Sequence, residues 1–136
     1  MISTALAGRL KDAGLVWKPA DGDRFHIDAP DLGADVFTVS TMTIEAHHFP
    51  TGTVLGFNGT TEWALDSVSI EDTLWLPRED QLRDLLGGTF RGLRHDDGAY
   101  VVDVDLLGEQ RTFSAPEAAD AYGEALLALV DLSTAD

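Results

Sequence analysis

The apolar positions at the start of the chain have helical spacing. Leu6, Leu10 and Ala13 recur at the interval that places them on one stripe of a helix. The Ser3-Thr4 pair precedes the stripe and can cap it, and Gly14 follows it as a typical helix-ending residue. We predict a short amphipathic helix between these signals.

Short runs of apolar, β-branched and aromatic residues bounded by turn residues predict strands in the rest of the first half. The segments are LVWK at 15–18, RFHID at 24–28 and VFTVSTMTIEAHHF at 36–49. An Asp21-Gly22 turn separates the first two, and Phe25 and Ile27 share one face of the second. The alternation of the third slips near Ser40, which indicates a bulge or two separate strands.

Asn58-Gly59 is a strong signal for a β-hairpin. It would join the strand TVLGF at 53–57 to TTEWALDS at 60–67, in which Trp63 lies on the apolar face. A helix over EWALDSV is the competing interpretation. The Asn-Gly turn favours the strand.

The second half begins with a helix whose limits are well marked. Pro77 suits a first helical turn, the acids Glu79-Asp80 favour the positive helix start, and Gly87-Gly88 ends it. Its predicted apolar face consists of Leu82, Leu85 and Leu86.

Three strands and a long helix are predicted after it. The strands are TFRGLR at 89–94, YVVDVDLL at 100–107 and QRTFS at 110–114. Ser114 and Glu117 have the spacing of a capping box at the start of the helix. The apolar stripe of this helix contains Ala119, Tyr122, Leu126 and Leu129. The second half therefore has the order α-β-β-β-α.

These elements predict an α+β fold with an antiparallel sheet, an N-terminal helix, a middle helix and a packed C-terminal helix. We expect one compact domain over residues 1–136, with subdomains 1–68 and 69–136 as the alternative. Trp63 and Trp75 carry much of the large apolar area, and we expect both to be buried.

The chain is strongly acidic, with a formal net charge of −15. Such a field repels nucleic-acid phosphate and favours a cationic protein partner or simple solubility. Because cysteine is absent, we expect a cytoplasmic protein. No run approaches the ~20 apolar residues of a membrane span, so we expect no membrane binding. The acidic charge argues against nucleic-acid binding.

Histidines provide one hypothesis for metal-dependent chemistry. His26 would meet His47 or His48 across neighbouring strands, with Glu45 or Asp28 completing the site. Adjacent residues of a strand point to opposite faces, however, so His47 and His48 do not easily bind one ion.

Other catalytic motifs fail on spacing. An EF-hand loop beginning at Asp21 would need glycine and glutamate where His26 and Leu32 stand. The chain contains no glycine-rich phosphate loop and no GxSxG elbow. We therefore assign no catalytic residue, no metal and no cofactor, and we favour a protein that is not an enzyme.

The leading functional hypothesis is a non-catalytic, protein-binding or accessory module. Its candidate binding residues are Glu62, Trp63, Asp66, Trp75 and Arg78. Glu62 and Asp66 lie on the predicted polar face opposite Trp63 and form the nearest pair of carboxylates. A carboxylate-based enzyme and a small-ligand pocket near Trp63 and Trp75 are the alternatives.

Several sequence runs carry resemblances. The α-β-β-β-α order resembles that of double-stranded RNA binding domains, and GEQRTFSAPEAADAYGEALLAL at 108–129 resembles the strand and helix of HicB-type antitoxins. The last helix begins with acids where RNA binding requires lysines, so these likenesses imply topology only. GDRF, FNGTTEWALDS and WLPREDQLRDLLGGTF resemble a family of short uncharacterised bacterial proteins that are often labelled pilus assembly proteins. Because the ATPase motifs are missing, this resemblance implies an accessory role.

Overall fold

The computed structural model describes residues 1–27, 35–39, 44–49, 52–57 and 67–134. The chain forms two compact units. Met1–Val16 and Pro77–Asp136 make up the first, which we call the split unit, and Trp17–Leu76 make up the second, the inserted unit. These bounds differ from the alternative subdomains 1–68 and 69–136, and the single-domain expectation stays a prediction.

The described residues form three α-helices and nine strands. The α-helices are Thr4–Ala13 (α1), Glu79–Leu86 (α2) and Ala118–Thr134 (α3). The strands are Arg24–Ile27 (β1), Val36–Thr38 (β2), Ile44–Phe49 (β3), Gly52–Phe57 (β4), Ser67–Ser69 (β5), Thr73–Trp75 (β6), Phe90–Asp96 (β7), Ala99–Leu106 (β8) and Glu109–Ala115 (β9). They pair in three sheets with the orders β2-β1-β6, β3-β4-β5 and β7-β8-β9. The α+β prediction is confirmed.

The first helix has the predicted caps. The Ser3 hydroxyl accepts a hydrogen bond from the Leu6 N–H at 3.2 Å. Gly14 takes the left-handed conformation, with φ of 114°, and its N–H bonds back to the last helical turn. Leu6 and Leu10 are buried on the predicted stripe, which confirms the amphipathic helix.

The middle helix α2 has the predicted acidic start and glycine end, but it begins at Glu79, so Pro77 precedes the helix and is not in its first turn as predicted. The Gln81 side chain accepts a hydrogen bond from the Arg78 N–H at 2.9 Å, and Gly87 follows the last turn. Leu82 and Leu86 are buried, one full turn apart. Leu85 was predicted on the same face but is 41% exposed, because it lies at the flank of the stripe that these two residues define.

In the split unit the sheet β7-β8-β9 has the predicted meander order, with β8 in the middle. Its buried face consists of Val102, Val104 and Leu106. Helix α3 contacts β8 and β9, and its Tyr122 ring stacks on Phe90 of β7 at 5.7 Å. The sheet and the helix therefore share one apolar layer.

The start of α3 differs from the prediction. Ser114 is part of β9, which runs to Ala115, and the helix begins at Ala118. Ser114 is therefore a strand residue and not the N-cap, so the predicted capping box is wrong. Leu126 is buried as predicted, whereas Leu129 is only half-buried near the end of the helix.

Helix α1 packs on α3 by close approach at a glycine. A Cβ added at Gly123 would lie 2.6 Å from Leu6 Cδ2 and 3.1 Å from Ile2 Cδ1. Leu6 and Ile2 are both buried. The two helices thus meet where α3 carries no side chain.

An aromatic cluster organises the first sheet of the inserted unit. Phe25 lies between Phe37 and Trp75 in the strand register, and its ring centroid is 5.6 Å from that of Phe37. Trp17 stacks on Trp75 at 6.5 Å and contacts Phe25 at 5.3 Å. Trp17 Nε1 donates to the buried Asp23 carboxylate at 2.9 Å, which fixes the indole over the sheet.

Residues 15–18 were predicted as a strand, and the structure shows no strand there. In this segment the Trp17 ring instead packs against Phe25 of β1, and its Nε1 donates a hydrogen bond to the Asp23 carboxylate. The run at 36–49 was predicted to contain a bulge or to form two separate strands. The structure has two strands, β2 and β3. The predicted hairpin strand at 60–67 lies outside the described residues except Ser67, where β5 begins.

Candidate functional site

A groove lies in the split unit between α1 and the edge of the β7-β8-β9 sheet. Its volume is about 460 Å³. Ser3, Ala5, Leu6 and Arg9 line one wall, residues 112–116 the other, and Asp120 and Glu124 of α3 the floor. Both walls and the floor belong to the split unit, so the fold of that unit sets the shape of the groove.

Strand β9 is an edge strand. It pairs with β8 along seven residue pairs, from Tyr100↔Ala115 to Leu106↔Glu109, and no described strand pairs with its other side. An edge strand carries backbone N–H and C=O groups that are not used by its own sheet. With seven residues, β9 offers such an edge over about 23 Å, and the part from 112 to 115 borders the groove.

The two faces of β9 differ in burial. Phe113 and Ala115 are half-buried on the helix side, whereas Thr112 and Ser114 are exposed. The Arg111 guanidinium lies 5.1 Å from the centroid of the Phe113 ring. The groove therefore combines an apolar side toward the helices with a polar side toward solvent.

Two carboxylates on the groove floor have partners from the α1 segment. Asp120 Oδ1 accepts from the Ser3 backbone N–H at 2.8 Å. Glu124 Oε1 accepts from Arg9 Nη1 at 3.2 Å, and the two side chains are 58% and 35% exposed. The first contact uses a fixed backbone donor, while the second joins two flexible side chains that reach solvent.

Arginines on the sheet face acids directly. Arg94 Nε lies 3.0 Å from Asp103 Oδ2, and Arg91 Nη2 lies 3.7 Å from Asp105 Oδ2. The hydrogen bond to Asp103 raises the pKa of Arg94 above its ordinary value. These pairs balance the positive charge of the sheet locally.

The residues predicted to bind a partner fall in different places. Trp75 lies half-buried on β6 of the inserted unit, and its Nε1 is buried with no hydrogen-bond partner among the described residues. Arg78 lies in the split unit just before α2, where its Nε donates to Asp80 at 3.1 Å. Glu62, Trp63 and Asp66 lie outside the described residues.

The histidines of the metal hypothesis lie on strands of different sheets. His26 is on β1, which pairs with β2 and β6, and its Nδ1 is 3.3 Å from the Asp35 carbonyl oxygen. His47 and His48 are on β3, which pairs with β4. The expectation that they would meet on neighbouring strands is therefore wrong. Within the described ranges, no group of three or more histidines and acids is arranged to hold a metal ion.

Comparisons with protein-family models, with curated proteins and with solved structures find no match to this chain. Among the described helices, none is long and apolar enough to cross a membrane.

Sequence reasoning missed the residues that form the groove. Arg9 and Glu124 are 115 positions apart, so no local pattern indicates their contact. One signal was available, because a three-strand meander followed by a helix leaves its last strand at an edge unless another strand covers it. The docking of α1 beside that edge could not be foreseen from the same pattern.

Proposed function

We propose that this protein is a non-catalytic protein-binding module that takes up an extended segment of a partner along the edge of β9. The observation that supports the proposal best is the edge strand beside the groove, with α1 and α3 as its further walls. Addition of a strand to a sheet edge is a common way in which proteins recognise peptides.

The backbone of the incoming segment would supply the hydrogen bonds. The N–H and C=O groups on the outer side of β9 would pair with it and form a fourth strand next to β9. Since residues 112–115 border the groove, about four to six partner residues would be engaged. A contact of this size belongs to the class of transient interactions, which bury less than about 1,200 Å².

Charge favours a cationic partner over a nucleic acid. The chain carries a formal net charge of −15, and Arg91 and Arg94 on the sheet face Asp105 and Asp103. An acidic protein attracts basic segments and repels phosphate. The resemblance to proteins labelled for pilus assembly agrees with a binding role of this accessory kind.

Peptide selection tests the proposal. Random peptides displayed on phage are selected on the folded full chain, and the affinity of enriched peptides is then measured by isothermal titration calorimetry. Ala5→Trp places a large ring in the groove from an exposed helical position. Thr4→Trp is the matched control, because Thr4 is also exposed on the first turn of α1 but does not line the groove.

The proposal predicts peptides that bind the wild type and Thr4→Trp equally and bind Ala5→Trp at least about tenfold more weakly, which corresponds to about 1.4 kcal/mol. Far-UV circular dichroism checks that both variants fold. The proposal fails if no peptide is enriched, or if the enriched peptides bind Ala5→Trp as well as they bind the control.

A further inference from the structure

One arginine side chain of the protein itself lines the groove. Arg9 is the basic residue among those that line it, and its guanidinium binds Glu124 at 3.2 Å. The other carboxylate on the floor, Asp120, is held by a backbone N–H. Glu124 is therefore the floor carboxylate whose partner is a solvent-exposed cationic side chain.

We propose that Glu124 determines the specificity of the groove for an arginine or lysine of the bound segment, and that Arg9 occupies this position until the partner's cation replaces it. This inference rests on the proposed function and specifies the chemistry of its partner. Arg9 thus acts as an internal competitor for the same carboxylate.

The exchange is physically easy. Both side chains of the pair reach solvent, with exposures of 58% and 35%, and exposed ion pairs contribute little to folding stability. Replacement of one cation by another keeps Glu124 paired throughout. Arg9 moves into water, where a guanidinium is well accommodated on its flexible stem.

The strand geometry places the partner's cation. Phe113 and Ala115 face the helix side of β9, where they are half-buried. Side chains directly opposite each other on neighbouring strands point to the same face of the sheet. A residue of the bound segment opposite Phe113 or Ala115 would therefore point toward α3 and Glu124. We expect a basic residue at one such position, with small or apolar residues two positions away.

A charge reversal tests the inference while it preserves the internal ion pair. In the double variant Arg9→Glu with Glu124→Arg, the groove floor presents a cation to the partner in place of a carboxylate. The matched control reverses Arg94 and Asp103, an exposed pair at 3.0 Å that does not line the groove. Both double variants retain the net charge of the chain, and circular dichroism verifies their folding.

Peptide selection on the wild type and on the control should enrich one basic position. Selection on the double variant Arg9→Glu with Glu124→Arg should enrich an acidic residue at that position. Two neutral variants give a second measurement with one wild-type-selected peptide. Arg9→Gln should tighten binding about two- to fivefold because the competitor is gone, and Glu124→Gln should weaken it by at least a similar factor.

The outcomes separate this inference from the proposed function. If peptides depend on the groove, as judged by Ala5→Trp, but show no basic position or no response to the reversal, the inference is wrong and the binding function stands. Weaker binding by Arg9→Gln also overturns it, since Arg9 would then contact the partner favourably. If no peptide depends on the groove, both are wrong.

Discussion

The contact between α1 and α3 predicts opposite effects for the same substitution at two helical glycines. Gly8 is in the middle of α1 and Gly123 in α3. Alanine in a helix interior is about 1 kcal/mol more favourable than glycine. A Cβ at Gly8 meets nothing within 4 Å, so Gly8→Ala should stabilise the split unit by about 0.5–1 kcal/mol.

At Gly123 the same Cβ would lie 2.6 Å from Leu6 Cδ2 and 3.3 Å from Leu6 Cγ. A shift of the terminal methyl alone does not relieve the second contact, and Leu6 is only 3% exposed, so the whole side chain must move within the core. Overpacking of this kind costs about 1–3 kcal/mol. After the helical gain is subtracted, Gly123→Ala should destabilise the protein by about 1 kcal/mol.

Urea denaturation followed by circular dichroism at 222 nm provides the measurement. All three α-helices of the described residues belong to the split unit, so this signal reports mainly on it. A change of about 1 kcal/mol should move the urea midpoint by about 0.3–1 M, since small proteins have m values of about 1–3 kcal/mol/M. Leu6→Ala should relieve most of the penalty, because only the 3.1 Å contact with Ile2 Cδ1 then remains, so Gly123→Ala should be clearly less destabilising in that background than in the wild type. Equal stabilisation by Gly8→Ala and Gly123→Ala would refute the packing of α1 on α3.

Three further substitutions test local features. Leu107→Asn should stabilise the protein by about 1 kcal/mol, because Leu107 has a φ of 56° and is 91% exposed; unchanged stability would argue against strain. Asp23→Ala should cost about 1–3 kcal/mol by tryptophan fluorescence, since it leaves the Trp17 indole without its acceptor, and a loss below about 0.5 kcal/mol would contradict this contact. Hydrogen bonding from Arg78 lowers the pKa of Asp80 below its ordinary 3.8. The pair therefore stabilises the fold above pH 3.8, and this stabilisation is lost as the pH falls through the lowered pKa. Arg78→Ala should raise the Asp80 midpoint in a carboxyl NMR titration, and an unmoved midpoint would show that the pair does not form.

Elements with their own local signals were predictable from the sequence. Helix α1 has a capping serine, an apolar stripe and a terminal glycine, and each of these stabilises the helix without distant partners. The β7-β8-β9 meander is similar, because Asp97-Gly98 forms a turn with positive φ at both residues. Local free energy and tertiary packing favour the same structure in these segments.

The sequence predictions failed in segments whose conformation depends on contacts with distant residues. The apolar run at 15–18 is typical of a strand, but in the structure Trp17 stacks on Trp75 and donates to Asp23, and the segment joins no sheet. The groove depends on the contact of Arg9 with Glu124, across nearly the full length of the chain. A contact at such separation leaves no periodic trace in a single sequence.

Amide hydrogen exchange of β9, followed residue by residue by NMR, tests the central claim most directly. In the free protein, amides of β9 that bond to β8 should exchange slowly, and those on the outer side should exchange fast, which gives an alternating pattern over residues 110–115. Addition of a peptide selected on the groove should slow the exchange of the outer amides in the wild type. In Ala5→Trp the same peptide should leave the exchange pattern unchanged. Uniform protection of β9 in the free protein, or no gain of protection with the peptide, would contradict an open edge that binds a partner strand.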